Sequence, residues 1–146
     1  ELAGAFETVA ETAREAGRDP DAITVAPYVP SAVADDPADA RAAIRGHLAY
    51  YVGSGEGYRR AVASTFPDAA ERIAEAWGAG KRDAARSAVT DEMIEALGVA
   101  GTPERAREQF RAVASLDVVD HPIVVVPDGA AEETVERTLT ALAPTA

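Results

Sequence analysis

The 146-residue sequence contains no cysteine, which excludes disulfide bonds and thiolate metal sites. Basic residues are few: 14 Lys and Arg stand against 25 Asp and Glu, so the formal net charge is −11. Such a charge disfavours nucleic acid and anionic membrane surfaces as partners. No apolar run approaches the roughly 20 residues of a membrane span, and the first residues show no leader pattern. We therefore expect a cytoplasmic protein.

Aromatic residues are also scarce, at 5%, although 47% of the residues are hydrophobic. Much of the apolar content is alanine, which buries little area per residue, so we expect a core of modest stability. The length is typical of one domain, and residues 1–146 are predicted to form a single unit. Abundant acid and a preference for Arg over Lys are typical of an acidic, halophilic protein.

One short strand is predicted early in the chain. Residues 2–16 have apolar positions at helical spacing and predict a first helix. The run 23–29 is rich in β-branched residues and apolar on both faces, which is typical of a buried parallel strand. Pro27 complicates this strand because it cannot donate to a ladder, and Pro30 is expected to close it.

A long helical segment separates this strand from a second one. Asp36 is followed by proline and predicts the start of a helical insertion over residues 37–115, with four short helices between 53 and 100. Residues 122–126 predict the second strand, and 130–143 the final helix. Two parallel strands need further parallel partners, so the chain is interpreted as a piece of a larger α/β protein.

Four segments carry a family resemblance through their order and spacing: AREAGRDPDAITVAPYVPSAVADDPADAR, YYVGSGEGYRRA, VTDEMIEALGVAGTPERAREQF and HPIVVVPDG. They resemble the C-terminal part of the luciferase-like monooxygenase superfamily, in its F420-dependent branch that includes 5,10-methylenetetrahydromethanopterin reductase. The resemblance implies an α/β fold: the last part of a (β/α)8 TIM barrel, predominantly helical, with two short parallel strands. Residues 23–29 would then be strand seven and 122–126 strand eight.

Active sites of such barrels lie at the C-terminal ends of the strands. The candidate cofactor-binding residues are therefore Tyr28, Ser31, Asp128 and Gly129. Ser31 would donate to a phosphate or ring oxygen, Tyr28 would line the pocket, and Asp128 would orient a polar group. The alternative interpretation makes Ser31 a loop residue, Tyr28 a core aromatic and Asp128 the cap of the last helix. No catalytic residue is assigned.

Other motifs predict no chemistry. The glycines of residues 53–57 follow a helix rather than a strand, so a turn between helices is favoured over a phosphate-binding loop. At residues 101–105, Glu104 already supplies negative charge to a helix start, which favours an ordinary cap. His47 and His121 have no second ligand at metal-binding spacing, so no metal site is expected.

The function implied by the resemblance is hydride exchange between F420, or alternatively FMN, and a small organic or pterin substrate. The isolated chain is expected to be inactive and to bind no cofactor tightly, because two of eight strand ends cannot surround a tricyclic ring. Open strand edges predict a homodimer through a strand or the helix at 2–16. The alternative, from a different class, is a free-standing acidic helical interaction domain without catalysis.

Overall fold

The computed structural model describes residues 2–144. It contains eight α-helices, one short 3₁₀ turn at Pro20–Ala22 and three strands. In chain order these are α1 Leu2–Glu15, β1 Tyr28–Val33, α2 Pro37–Ser54, α3 Glu56–Ala63, α4 Pro67–Gly78, α5 Arg82–Ser87, α6 Asp91–Leu97, β2 Val99–Gly101, α7 Pro103–Ala114, β3 Ile123–Val125 and α8 Glu132–Leu142. Within the described residues, no helix combines the length and the apolar character that a membrane crossing requires.

The strands form one parallel sheet in the order β2-β1-β3. Residues 28–30 of β1 pair with β3, and residues 31–33 pair with β2. Because Ala34 N donates to Gly101 O, even-numbered residues of β1 point their backbone groups towards β2. Pro30 also points that way, one residue before the pairing with β2 begins. Its missing N–H therefore costs the sheet no ladder hydrogen bond.

The first strand lies later in the chain than the run 23–29 predicts. Only the last two residues of the predicted run, Tyr28 and Val29, belong to β1. Pro30 lies inside the strand instead of closing it. The segment before β1 is held at Val25, whose N–H donates to Asp120 Oδ2 at 2.7 Å and whose carbonyl accepts from Asp120 N at 3.0 Å. A carboxylate thus replaces a backbone acceptor for the Val25 N–H, and Pro27, which has no N–H, contributes only its carbonyl, which accepts from Ile123 N at 2.9 Å.

The prediction of two strands is also wrong, because β2 lies inside the span 37–115 that was expected to be helical. A strand of three residues is too short to show an alternating pattern of its own. The four short helices expected between residues 53 and 100 are present as α3 to α6. The strand β3 lies within the predicted run 122–126, and α8 within the predicted run 130–143.

The two faces of the sheet are covered by different helices. Ala32 and Ala100 belong to a buried core formed with α2, α4, α5 and α6. Their neighbours Val29, Val33 and Val99 belong to a second core, formed with α7 and α8. Alternate strand residues point to opposite faces, so the sheet is the middle layer of three. The expectation that each strand leaves one edge open is wrong for β1, which has a partner strand on both sides.

Candidate functional site

The carboxyl ends of β1 and β3 open onto a groove of about 1060 Å³, which we call the strand-end groove. One side is built by residues 34–36, which follow β1, and by residues 127–131, which follow β3. The other sides come from α2, from Trp77 at the end of α4, from α5 and from the first turns of α8. Ligands of parallel α/β proteins bind at this end of the strands.

Charged side chains of both signs line the strand-end groove. They are the acids Asp35, Asp36, Asp39, Asp128 and Glu133, and the bases Arg45, Arg82, Arg86 and Arg137. Arg137 lies 2.5 Å from Asp35 Oδ1 and 2.8 Å from Glu133 Oε1, and its hydrogen bond with Glu133 raises the pKa of the guanidinium. Arg45 is paired with Asp91. The pair of Arg137 and Asp35 joins α8 to the loop after β1.

Five rings form an aromatic cluster that continues from the groove into the helical layer: His47, Tyr50, Tyr51, Tyr58 and Trp77. The ring centroids of His47 and Tyr51 are 4.5 Å apart, and those of Tyr51 and Tyr58 are 4.9 Å apart. Tyr50 meets Tyr51 at 5.2 Å and Trp77 at 5.6 Å, both edge to face. These are favourable distances for aromatic pairs. The cluster therefore gives the groove a packed aromatic wall.

Trp77 is held between a glycine and an arginine. A Cβ atom on Gly53 would lie 2.4 Å from Trp77 Cγ, so the ring occupies the space that any other residue at position 53 would need. The Arg82 Cζ atom lies 3.7 Å from the centroid of the Trp77 ring, and Arg82 Nη1 donates to Trp77 O at 2.5 Å. This cation–π contact orients both groups at the groove.

The imidazole of His47, which lines the groove, has a shifted pKa. Burial lowers the pKa of His47, and the charge of Asp128 partly opposes that effect. Lowering the pKa of an imidazole favours its neutral form near pH 7, in which one ring nitrogen donates and the other accepts. His47 is thus suited to hydrogen bonding rather than to holding an anion.

A second space, which we call the apolar cavity, has a volume of about 500 Å³. It lies against Tyr28 and Pro30 of β1, is bordered by side chains of α2 and α3, and is open to solvent on one side. His47 and Tyr51 line both this cavity and the strand-end groove. The two spaces therefore share one wall.

The four predicted cofactor-binding residues do not converge on one space. Asp128 and Gly129 line the strand-end groove, with Gly129 in a left-handed conformation at φ 77°. Tyr28 lines the apolar cavity instead. Ser31 is 0% exposed, and its hydroxyl donates to Val29 O at 2.9 Å, so it faces neither space.

The structure contradicts the alternative interpretations of Tyr28, Ser31 and Asp128. Tyr28 is 73% exposed and is not a core aromatic. Ser31 belongs to β1 rather than to a loop. The last helix begins later than expected, with Ala131 at its N-cap, so Asp128 does not cap it. Asp128 is therefore a side chain of the groove with no capping role.

Sequence reasoning missed the aromatic cluster and Arg82. A signal was present, because His47, Tyr50 and Tyr51 have the spacing of one helical face. A second signal was the scarcity of aromatic residues: the chain has four tyrosines and one tryptophan, and all five line one or both of the spaces described above. Among residues 2–144, no three His, Asp or Glu side chains are grouped as a metal site would require.

Comparison with known proteins supports the fold and identifies the family. A sequence model described as luciferase-like monooxygenase matches residues 1–120. The solved structure of a coenzyme F420-dependent tetrahydromethanopterin reductase from Methanopyrus kandleri is similar, with a TM-score of 0.70 and 27% sequence identity. That match covers 94% of this chain and 39% of the reductase, so the chain spans about two-fifths of the reductase's length. A search of curated proteins found no match.

The α/β fold predicted from the resemblance, mostly helical and similar to part of a TIM-barrel reductase, is confirmed. The family match extends over most of the sequence, from α1 to the loop before β3. The chain belongs to the luciferase-like monooxygenase family.

Proposed function

We propose that this chain forms the C-terminal wall of the cofactor site of an oxidoreductase, in which hydride passes between F420 and a small organic or pterin substrate. The family and the F420-dependent structural neighbour support an oxidoreductase. One observation links this activity to residues of this chain. The aromatic cluster and the loop at Asp128 and Gly129 meet at the carboxyl ends of β1 and β3, where barrel enzymes hold their ligands.

The residues of the strand-end groove fit one wall of a site for a deazaflavin. The volume of about 1060 Å³ is sufficient for a tricyclic ring. Tyr50 is 51% exposed and offers a ring surface for stacking, and Asp128 offers an acceptor for a ring N–H. Arg86 is suited to the anionic tail of the cofactor, because its nearest acid, Asp83, is 3.8 Å away and fully exposed. The groove is open on one side, so further walls are needed to enclose the ring.

Within this site the protein binds and orients, while the bound deazaflavin supplies the hydride chemistry. The aromatic cluster would cover one face of the bound ring. Neutral His47 can donate or accept one hydrogen bond at the wall shared by both spaces. FMN is the nearest alternative cofactor, and F420 is preferred because the structural neighbour depends on it.

The test compares this chain with a version extended upstream by the residues that its gene encodes. The extended protein should bind F420 in a fluorescence titration, whereas this chain alone should bind neither F420 nor FMN at micromolar concentration. Replacing Asp128 with alanine in the extended protein should weaken F420 binding, while Asp117→Ala, at an exposed position outside the groove, should not. Micromolar binding by this chain alone, or no binding by the extended protein, would contradict the proposal.

We also propose that the chain forms a homodimer through α1. This helix packs chiefly against the 3₁₀ turn at Pro20–Ala22 and makes little contact with the sheet layers. Val9 lies on α1 and is 49% exposed. An amphipathic helix with so little cover is readily exchanged or paired between two copies.

Sedimentation at rising protein concentration should show a dimer. Val9→Ser should weaken it, because the substitution removes an apolar contact from the helix face. Glu11→Ser should leave it intact, since residue 11 lies on the opposite face of α1. A monomer at every concentration, or equal effects of the two substitutions, would rule out this interface.

A further inference from the structure

The charged side chains of the strand-end groove are separated by sign. Five acids lie at the ends of β1 and β3 and in the first turns of α2 and α8: Asp35, Asp36, Asp39, Asp128 and Glu133. Arg137 lies among them and is paired with two of them. The other three bases lie further along α2 and on α5: Arg45, Arg82 and Arg86. The groove therefore has an acidic side at the strand ends and a basic side at α5.

Two of the three bases on this side have no close acidic partner. Arg45 is paired with Asp91. Among the described residues, Arg82 forms no ion pair, and the acid beside Arg86 is Asp83, which is fully exposed and at 3.8 Å lies beyond hydrogen-bond distance. In a chain with 25 acids and 14 bases, such a pair of guanidinium groups is unusual. Both groups are available to an anion in the groove.

Arg82 and Arg86 are four residues apart on α5, so their side chains lie on the same face of the helix. Two like charges at this spacing destabilise a helix slightly. A local cost that the packing of the chain does not require is typical of binding sites. The spacing therefore indicates that the two guanidinium groups act together on one ligand.

Both side chains are held beside the groove by their neighbours. The guanidinium of Arg82 lies on the Trp77 ring and donates to Trp77 O, and it has further N–H groups to offer a ligand. A Cβ atom on Gly46 would lie 3.9 Å from Arg86 Nε, so the Arg86 side chain lies against α2. These contacts orient the two groups before a ligand arrives.

We propose that Arg82 and Arg86 form an anion subsite for a multiply charged acidic group, either a phosphate or a short chain of carboxylates. Guanidinium groups bind both by paired, charge-assisted hydrogen bonds. Resting on the function proposed above, the subsite holds the acidic end of the occupant at α5, while Asp128 at the strand ends accepts from its ring. The subsite thus fixes the direction in which the occupant lies across the groove.

The test titrates this chain, without cofactor, with pyrophosphate and with citrate at constant ionic strength. The readout is the fluorescence of Trp77, because an anion bound to Arg82 changes the surroundings of the indole beneath it. Saturable binding is expected in about the millimolar range, since two charged groups in an open site give limited affinity. The tighter of the two probes identifies the acidic group. Responses to both probes that match that of chloride at equal ionic strength would overturn the proposal.

Two variants that remove the same charge locate the bound anion. Arg86→Gln should weaken pyrophosphate binding at least about tenfold, because it removes one guanidinium and leaves the contact of Arg82 with Trp77 in place. Arg72→Gln, at an exposed position on α4 outside both spaces, should bind like the unaltered chain. Equal affinities of the two variants would overturn the assignment to α5.

An NMR titration of the unaltered chain decides the matter should Arg86→Gln fail to fold. Pyrophosphate should shift the Nε–H signals of Arg82 and Arg86 and leave that of Arg72 in place. Shifts of Arg72 as large as those of Arg82 and Arg86 would overturn the subsite.

The outcome is separable from that of the F420 titration. Pyrophosphate binding by this chain, with no F420 bound by the extended protein, would overturn the proposed function and support the subsite. F420 binding by the extended protein that is equally tight in Arg86→Gln and Arg72→Gln would support the proposed function and overturn the placement of the acidic end at α5.

Discussion

Replacing Gly53 with alanine should lower the free energy of unfolding by about 1–3 kcal/mol and displace Trp77 from the strand-end groove. The new Cβ would lie 2.4 Å from Trp77 Cγ and 2.6 Å from its Cβ and Cδ2 atoms. These atoms are close to the backbone of α4, so the ring cannot move away by a change at its far end. Urea unfolding followed by fluorescence gives both readouts, because Trp77 is the only tryptophan of the chain.

Gly46→Ala is the matched control, since residue 46 belongs to the same helix α2. The nearest atom to its added Cβ would be Arg86 Nε, at 3.9 Å, which is an ordinary contact. Alanine favours helix over glycine, so this variant should be more stable by about 0.5–1 kcal/mol. Changes of the same sign in the two variants would contradict the described packing of Trp77 against Gly53.

Thr138→Val should also destabilise the chain, by about 1–3 kcal/mol. Thr138 is 0% exposed, and its Oγ1 accepts a hydrogen bond from Val33 N at 2.9 Å and donates to Thr134 O at 2.6 Å. Valine has nearly the same shape but leaves the buried Val33 N–H without this acceptor. The measurement is the midpoint and slope of urea unfolding, with the slope expected to stay unchanged.

Two variants of the same helix separate this hydrogen bond from other effects on α8. Thr140→Val makes the same substitution at an exposed position and should change the free energy of unfolding little. Thr138→Ser keeps the hydroxyl and should recover much of the lost stability. Equal losses of unfolding free energy at positions 138 and 140 would show that the hydrogen bond from Val33 N to Thr138 Oγ1 contributes nothing to stability.

Features that depend on neighbouring residues in the sequence were predictable. The start of α2 is an example, because Asp36 Oδ1 accepts from Ala38 N at 2.8 Å and Pro37 is the first helical residue. Thr102 caps α7 in the same way. The strand β2 was not predictable, because three residues carry too little pattern and its place is set by pairing with residues 31–33.

The residues of the candidate site were predictable in part. Asp128 and Gly129 follow the last strand, and this position alone was enough to place them at the groove. Ser31 was misplaced because the bounds of β1 were wrong, so a buried strand residue was taken for a strand-end residue. The contact of Trp77 with Gly53 and the shared wall at His47 depend on how α4 packs against α2. Such tertiary contacts leave no local pattern in the sequence.

The central claim is that the strand-end groove is one wall of a cofactor site. The most direct test is an NMR titration of this chain with F420 at concentrations high enough to reveal weak binding. We expect amide shift changes confined to residues 34–36, 46–51 and 127–131, together with a shift of the indole signal of Trp77. Shift changes centred on another surface, or none at any concentration, would contradict it.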